Sequence, residues 1–422
     1  MGTNKQRAVV IGSGFGGLAA AVRLLARGYD VTVLERHDQP GGRARVFRDK
    51  GYVFDAGPTV ITAPFLFEEL WELAGEKMRD HVELRPVSPF YRIRFHDGTV
   101  FDYTGDPAAM RAEVAKLCPE DVDGYERFVA MSERIFSVGF EQLAHVPFGS
   151  WVDMARIVPE MMRLESYRTV WGLASKFVKD DRLRQILSFH PLLVGGNPFS
   201  TTSIYTLILY LERKWGVHFP VGGTGALVKG LVDLIHRMGG RVRYHAMVDQ
   251  IVVEDRRARG VRLDTGEVVP ADVVVSNADS AWTYKNLLPP EHRRTWTDAK
   301  IDRARYSMSL FVWYFGTRRR YDDVRHHTIL MGPRYRELLE DIFEHKKLAE
   351  DCSLYLHRPT ATDPSLAPPG CDAFYALSPV PHLDSGTDWT TEAERYRQMV
   401  ARRLQDTLLP GLEDEVTPLF TG

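Results

Sequence analysis

Residues 8–11 read AVVI, an apolar run of strand length, and Gly12-Ser13-Gly14-Phe15-Gly16-Gly17 follows at once. The next segment, LAAAVRLLARG, repeats Leu18, Ala21, Val22 and Leu25 at helical spacing until Gly28 stops it. Residues 31–34, VTVL, read as a second strand that ends on Glu35, 23 residues after Gly12. Strand, glycine turn, helix, strand and acid in this order restrict the opening of the chain to a parallel βαβ unit built around a dinucleotide. Gly12 permits the tight turn, Gly14 lets backbone approach a pyrophosphate, and Gly17 lets the helix lie close to the sheet. The helix N-terminus offers free N–H groups to phosphate. Glu35 is placed to accept hydrogen bonds from ribose hydroxyls, which argues against a 2′-phosphate and so against NADP. It does not separate NAD from FAD. A purely structural glycine turn is the plainer alternative.

Pro40-Gly41-Gly42-Arg43-Ala44-Arg45 follows four residues after the acid. A second glycine pair with an arginine would wrap the far side of an extended dinucleotide, with Arg43 pairing to phosphate. An ordinary loop with solvated arginines is the equal alternative.

At 422 residues the chain is long enough for two or three domains. Its 44% hydrophobic and 26% charged content supports a sizeable core. Lys plus Arg is 54 against 56 for Asp plus Glu, so no nucleic-acid partner is expected. Cys118, Cys352 and Cys371 are too far apart for a disulfide framework or a thiolate cage, which suits a reducing cytoplasm. MGTNKQR leads straight into a short apolar run without signal-peptide architecture, and no window reaches eighteen uncharged apolar residues, so neither a signal peptide nor a transmembrane helix is expected. HExxH, CxxC and GxSxG are absent. His326 and His327 are neighbours, and adjacent residues on a strand face opposite sides, so no metal is expected there.

Beyond Thr59 the pattern leaves the nucleotide fold. Residues 65–74 are an amphipathic helix, and 91–103 alternate around Asp97-Gly98 as a hairpin. Helical patterns dominate 108–215, including 125–136 and 204–214, with a heavy aromatic load at Phe136, Phe140, Phe148, Trp151, Tyr167, Trp171, Phe177 and Phe189. Those aromatics read as core before ligand wall. Gly222-Gly223-Thr224-Gly225 precedes a further helix and suits close approach to a cofactor. Residues 241–254 read as one strand, with short strands at 261–263 and 272–276. Asn277 ends the last of these and is either a turn former or a residue at the cofactor edge. Strands follow at 306–316, 326–331, 352–357 and 373–379, and a peripheral helix at 391–408. Arg318-Arg319-Arg320 is an ordinary solvated patch before it is a lipid contact.

Gly12–Gly17, Glu35 and Gly41-Gly42-Arg43 together resemble the amino terminus of the flavoprotein family that includes amine oxidases and carotenoid desaturases. Phe54-Asp55-Ala56-Gly57-Pro58-Thr59-Val60, Leu193–Pro198, Trp215-Gly216-Val217-His218-Phe219-Pro220 and Gly222–Leu227 narrow the resemblance to bacterial and fungal-type phytoene desaturases. It runs from about residue 8 to the end.

The resemblance implies an α/β fold with a Rossmann-like FAD-binding domain. Residues 1–64 and 221–300 would form that domain, 65–220 a substrate and helical membrane-associating region, and 301–422 further substrate-domain strands. It implies non-covalent FAD held by Gly12, Gly14, Gly17, Glu35, Gly42, Arg43, Asp55, Gly57, Pro58, Thr59, Val248 and Asn277. The implied reaction is successive dehydrogenation of 15-cis-phytoene toward neurosporene or lycopene. A hydride goes to the flavin and a proton is lost from the neighbouring carbon. Asp153 and His218 are the candidates for the polar group at the chemistry. Quinone or oxygen would reoxidise the flavin. The substrate dissolves in a bilayer, so peripheral attachment to the cytoplasmic face through an apolar patch is expected, although such a patch would equally serve a homo-oligomer. Three alternatives remain open. They are another carotenoid flavoenzyme (a C30 desaturase, ketolase or isomerase), a non-catalytic prenyl-binding escort, and an NAD-dependent dehydrogenase. One departure stands out: the family's glycine-rich stretch near its C-terminus, resembling GxGxxPGxG, is not found after Pro410-Gly411. The expectation is a chain shorter than the family's, with its FAD affinity in question.

Overall fold

A computed structural model describes residues 5–146 and 151–417; Phe148 and the side chains of Trp151 and Met154 lie outside the described set. The chain forms two compact units. Met1–Arg85 and His218–Arg305 make the first, Pro86–Val217 and Tyr306–Gly422 the second.

The first unit is built on a four-stranded parallel sheet. Strand β1 (Arg7–Ile11) lies between Val273–Ser276 and β2 (Asp30–Leu34), and Arg241–Arg243 lies outside β2. Successive residues of β1 point to opposite faces, so each face carries its own core. On one face Ala8 and Val10 pack with Leu18, Ala21 and Val22 of helix α1 (Phe15–Ala26) and with Leu227, Leu231, Leu234 and Ile235 of helix Thr224–Arg237. On the other, Val9, Ile11 and Leu34 pack with Val248, Ile251, Val261 and Leu263 of a three-stranded antiparallel sheet. Both faces of the parallel sheet are therefore covered, as a parallel sheet requires. Helix Phe65–Glu72 adds Leu70 and Trp71 to the helical side. The span 241–254 is two strands rather than one. Arg241–Arg243 joins the parallel sheet and Val248–Glu254 the antiparallel one, and His245 at φ 50° turns the chain between them.

The second unit contains a seven-stranded sheet in the order Val416–Thr417, Ser309–Thr317, Asp372–Val380, Leu354–His357, His327–Leu330, Tyr91–Arg94, Val100–Tyr103. All its pairs are antiparallel except His327–Leu330 with Tyr91–Arg94. The expected hairpin at Asp97-Gly98 closes with Gly98 at φ 86°. Helix Trp389–Thr407, expected at the periphery, is part of the core. Tyr396, Val400 and Leu404 pack against Phe315, Leu354, Leu356 and Phe374. Its charged face dominated the sequence pattern and hid the narrower apolar stripe. The arginines of 318–320 are not merely solvated. Arg318 and Arg319 donate to the carbonyls of Asp414 and Pro410, and Arg320 pairs with Asp322 at 3.1 Å.

Candidate cofactor site

Four turns of the first unit, each bearing glycine, are joined by direct bonds. Gly12 turns the chain out of β1 at φ 90°, and its N–H donates to the Leu34 carbonyl of β2 at 2.8 Å. The Ser13 carbonyl accepts from Gly41 N–H at 3.0 Å, which brings the 41–45 turn against the first one. The Arg45 carbonyl accepts from Ala56 N–H at 2.9 Å, joining the 55–59 segment. The Pro58 carbonyl accepts from Thr224 Oγ1 at 2.8 Å, joining the 222–225 turn.

Glycine is required by contact at two of these places. A Cβ on Gly17 would lie 2.0 Å from the Gly12 carbonyl oxygen. A Cβ on Gly57 would lie 2.3 Å from the Arg43 carbonyl oxygen. Helix α1 begins at Gly14 with no side-chain cap and no acid in its first turn. An uncapped helix start with a glycine approach is suited to an anionic group, since its first N–H groups need an acceptor. Gly42, at φ 56°, brings the second turn to the first, where a Cβ would meet Gly14 Cα at 3.4 Å. Arg43 is exposed beside it.

Glu35 is buried at the end of β2. One carboxylate oxygen accepts from Ser13 N–H at 2.9 Å and from Ser13 Oγ at 2.6 Å, and the other from His37 N–H at 3.0 Å. Burial pushes its pKa up, but the bonds from Ser13 and His37 outweigh this and hold it below the ordinary value. The acid is thus ionised and oriented before any ligand arrives. A carboxylate has about four acceptor positions, so one remains for a hydroxyl.

Asp55 is buried opposite the start of helix Thr224–Arg237 and accepts from the N–H groups of Thr224 and Gly225. Burial dominates here and raises its pKa to about 6 against those bonds. Gly223, at φ 78°, admits the carboxylate, since a Cβ there would sit 2.8 Å from both of its oxygens. This second glycine turn therefore closes on Asp55, whereas α1 has neither a side-chain cap nor an acid in its first turn.

The structure also assembles others of the expected residues. Thr59 is buried, and two residues on, Ile61 bridges to His218 through backbone bonds of 2.8 and 3.2 Å. His218 Nδ1 is buried and has no hydrogen-bond partner among the described residues. Asn277 donates its N–H to the Ile11 carbonyl at 2.9 Å, and its amide lies along the first turn, where a Cβ on Gly16 would meet Asn277 Oδ1 at 2.4 Å. Val248 begins its strand two residues after Ala246, whose N–H donates to the Glu35 carbonyl at 2.8 Å, and its side chain is core. Asp153 is not part of this assembly. It is half-buried in helix Trp151–Arg163 of the second unit.

Sequence reasoning missed Ser13, which orients Glu35, and Thr224, which ties Pro58 to the later helix. Both sit inside recognised motifs at positions that alone carry no signal. It also separated His326 from His327. His326 precedes strand His327–Leu330, so alternation does not apply, and the two rings meet edge to face at 4.4 Å.

The glycine cradle, the uncapped helix start and the buried, oriented acid fit the phosphates and ribose of FAD, and the chain belongs to the flavin-containing amine oxidoreductases, whose family model matches residues 15–390. It is an FAD-dependent oxidoreductase. Within that class it belongs to the phytoene desaturase family. It is 49% identical over 415 residues to the lycopene-forming phytoene desaturase of Pseudescherichia vulneris, covering 97% of this chain and 84% of that protein. It is 48% identical over 417 residues to the neurosporene-forming phytoene desaturase of Rhodobacter capsulatus, covering 97% and 80%. In fold it is similar to putrescine oxidase bound to putrescine, with a TM-score of 0.63 at 14% identity over 99% of this chain and 84% of that one.

Proposed function

We propose that this chain desaturates 15-cis-phytoene toward neurosporene or lycopene in carotenoid biosynthesis. The observation that carries the reading is a glycine-and-acid cradle suited to FAD in a chain that matches phytoene desaturases at 48–49% identity along 97% of its length. Bound FAD supplies a two-electron, hydride-accepting group.

The protein's part is to bind, orient and receive the proton. Gly12, Gly14 and Gly17 open the first turn to the pyrophosphate, and the start of α1 donates to it. Arg43 and Gly42, on the adjoining turn, would hold the pyrophosphate together with them. Glu35 accepts from the ribose. Val248 offers backbone to the adenine, and Asn277 and Thr59 line the inner edge. Asp55, Gly57 and Pro58 fix the later helix against the cradle. A hydrocarbon presents no heteroatom, so its binding rests on apolar burial, which we assign to the second unit. His218 takes the proton released on desaturation, and its unpartnered buried Nδ1 supports that role. Asp153 is the second candidate. A quinone or oxygen would serve as the electron acceptor.

We further assign the protein to the cytoplasmic face of a membrane, held peripherally. No helix among the described residues is long and apolar enough to cross one. Helix Trp151–Arg163 supports surface attachment. Val152, Val158 and Met162 are each at least half exposed on it, beside exposed Arg156 and Arg163.

The test is the visible spectrum of purified protein incubated with FAD and freed of excess cofactor. Retained flavin bands, followed by formation of conjugated polyene from phytoene in anaerobic liposomes with a quinone, are expected. Flavin retention without polyene would overturn the substrate assignment. Loss of flavin from folded protein would overturn the cofactor roles.

A further inference from the structure

We propose that His326, His327 and His357 form a binding site for one divalent transition-metal ion of the zinc or cobalt type, within the second unit and built from residues the flavin site does not use.

The backbone brings the three together. His327 and His357 are directly paired across antiparallel strands, so their side chains share a face of the sheet. His326 stands one residue before its strand, and the break in alternation there turns its ring to the same side. Its Nε2 lies 3.0 Å from His357 Nε2, and the ring of His327 stacks on His357 at 5.3 Å between centroids. One nitrogen from each ring lies within 4.8 Å of the other two. Two nitrogens on one tetrahedral ion at about 2.0–2.1 Å are about 3.4 Å apart, so the widest pair closes by about 1.4 Å on loading, within reach of ring rotation.

The outer bonds suit ligation. A metal-bound imidazole ordinarily donates its other N–H to an oxygen, which fixes the ring. His326 Nδ1 is 2.6 Å from Thr362 Oγ1, and His327 Nδ1 is 2.5 Å from Tyr355 Oη. With both Nδ1–H groups donated outward, the Nε2 lone pairs of these rings face inward. On loading, the His357 proton would pass to Nδ1 so that its Nε2 can ligate, and no net proton would be released. His327 Nε2 is buried and has no hydrogen-bond partner among the described residues. Such an atom in a dry interior is under pressure to find a partner, and an ion supplies one.

The surroundings permit a cation. All three residues are buried. The nearby Arg358 guanidinium is matched by Asp372 at 2.9 Å and Asp322 at 3.1 Å. Neutral imidazoles select zinc, cobalt, nickel or copper over magnesium or calcium.

The test uses the FAD-loaded protein without an affinity tag, dialysed against chelator and then against buffered Zn2+. Metal is counted by elemental analysis, and X-ray absorption at the zinc edge reports the ligands. One equivalent of zinc with three imidazole ligands is expected. H327Q and H357Q should each lower its affinity at least tenfold, while exposed H345Q leaves it unchanged. If either buried variant misfolds, the wild-type absorption spectrum decides alone. Folded wild-type protein that takes up no zinc, or takes it up with fewer than two imidazoles, or binds it equally well as H327Q, overturns the site.

Discussion

At the residue scale, two buried carboxylates of one unit are tuned in opposite directions by what faces them. Glu35 is met by a hydroxyl and two N–H groups and is held ionised. Asp55 is met by two N–H groups in a drier place, and its pKa rises from 3.8 to about 6. The folded state therefore keeps the Asp55 proton longer than the unfolded chain does. Its contribution to stability is fully present below about pH 4 and is lost as pH rises through about 6, by about 3 kcal/mol in all. Asp55→Asn should flatten the stability of the flavin-free protein across that window and stabilise it at pH 7, which urea unfolding at a series of pH values will read. Glu35→Gln should weaken FAD binding by about 10- to 100-fold, the worth of a charge-assisted bond to a hydroxyl, as seen by flavin fluorescence titration. Both residues were legible as sequence, Glu35 because it ends a strand after the glycine turn, and Asp55 because it stands in a segment that carries the family resemblance. The environment that separates them was not. Asp55 meets Thr224 and Gly225 about 170 residues away, and nothing local encodes that meeting.

At the scale of elements, the cradle depends on how closely backbone passes backbone. Gly17→Ala forces a methyl to 2.0 Å from a carbonyl oxygen, so α1 must move off β1. It should abolish flavin retention and lower stability by about 2–4 kcal/mol, measured by absorbance and calorimetry. Gly28→Ala is the contrast. No atom lies within 4 Å of its Cβ position and only the strain of φ +87° opposes it, so it should cost about 1 kcal/mol and leave flavin bound. Local periodicity was enough to find β1, α1 and β2, because each is held by an apolar pattern of its own. It failed where tertiary pairing decides. Residues 241–254 are uniformly strand-like, yet the chain divides them between two sheets at His245. Helix Trp389–Thr407 looked peripheral because most of its residues are polar or charged, while Tyr396, Val400 and Leu404 anchor it.

At the scale of the whole molecule, the expected α/β architecture holds, and the cofactor elements fall in one of two compact units made from interleaved stretches of chain. FAD at 100 times its Kd should stabilise the protein by about 2.7 kcal/mol. Slowed hydrogen exchange should concentrate in Met1–Arg85 and His218–Arg305, where the cradle lies. Changing Val152, Val158 and Met162 together to Asp should release the protein from carotenoid-bearing liposomes in a flotation assay while its flavin spectrum stays as it was. If the triple variant instead changes self-association and still floats, that face is a contact between copies. The apolar face was legible in composition, but its exposure was not, since core helices in the same region carry the same residues.

The pairing of Ala8 with Val273 joins residues 265 positions apart. Ribosomes add about 5–20 residues each second, so the first strand waits between about 13 and 50 s for the neighbour that covers its open edge. During that interval an apolar βα hairpin stands outside the exit tunnel with one hydrogen-bonding edge unclaimed. Production of this chain should therefore respond to trigger-factor-like holdases and to slower translation of its first few hundred codons, a dependence set by strand order alone.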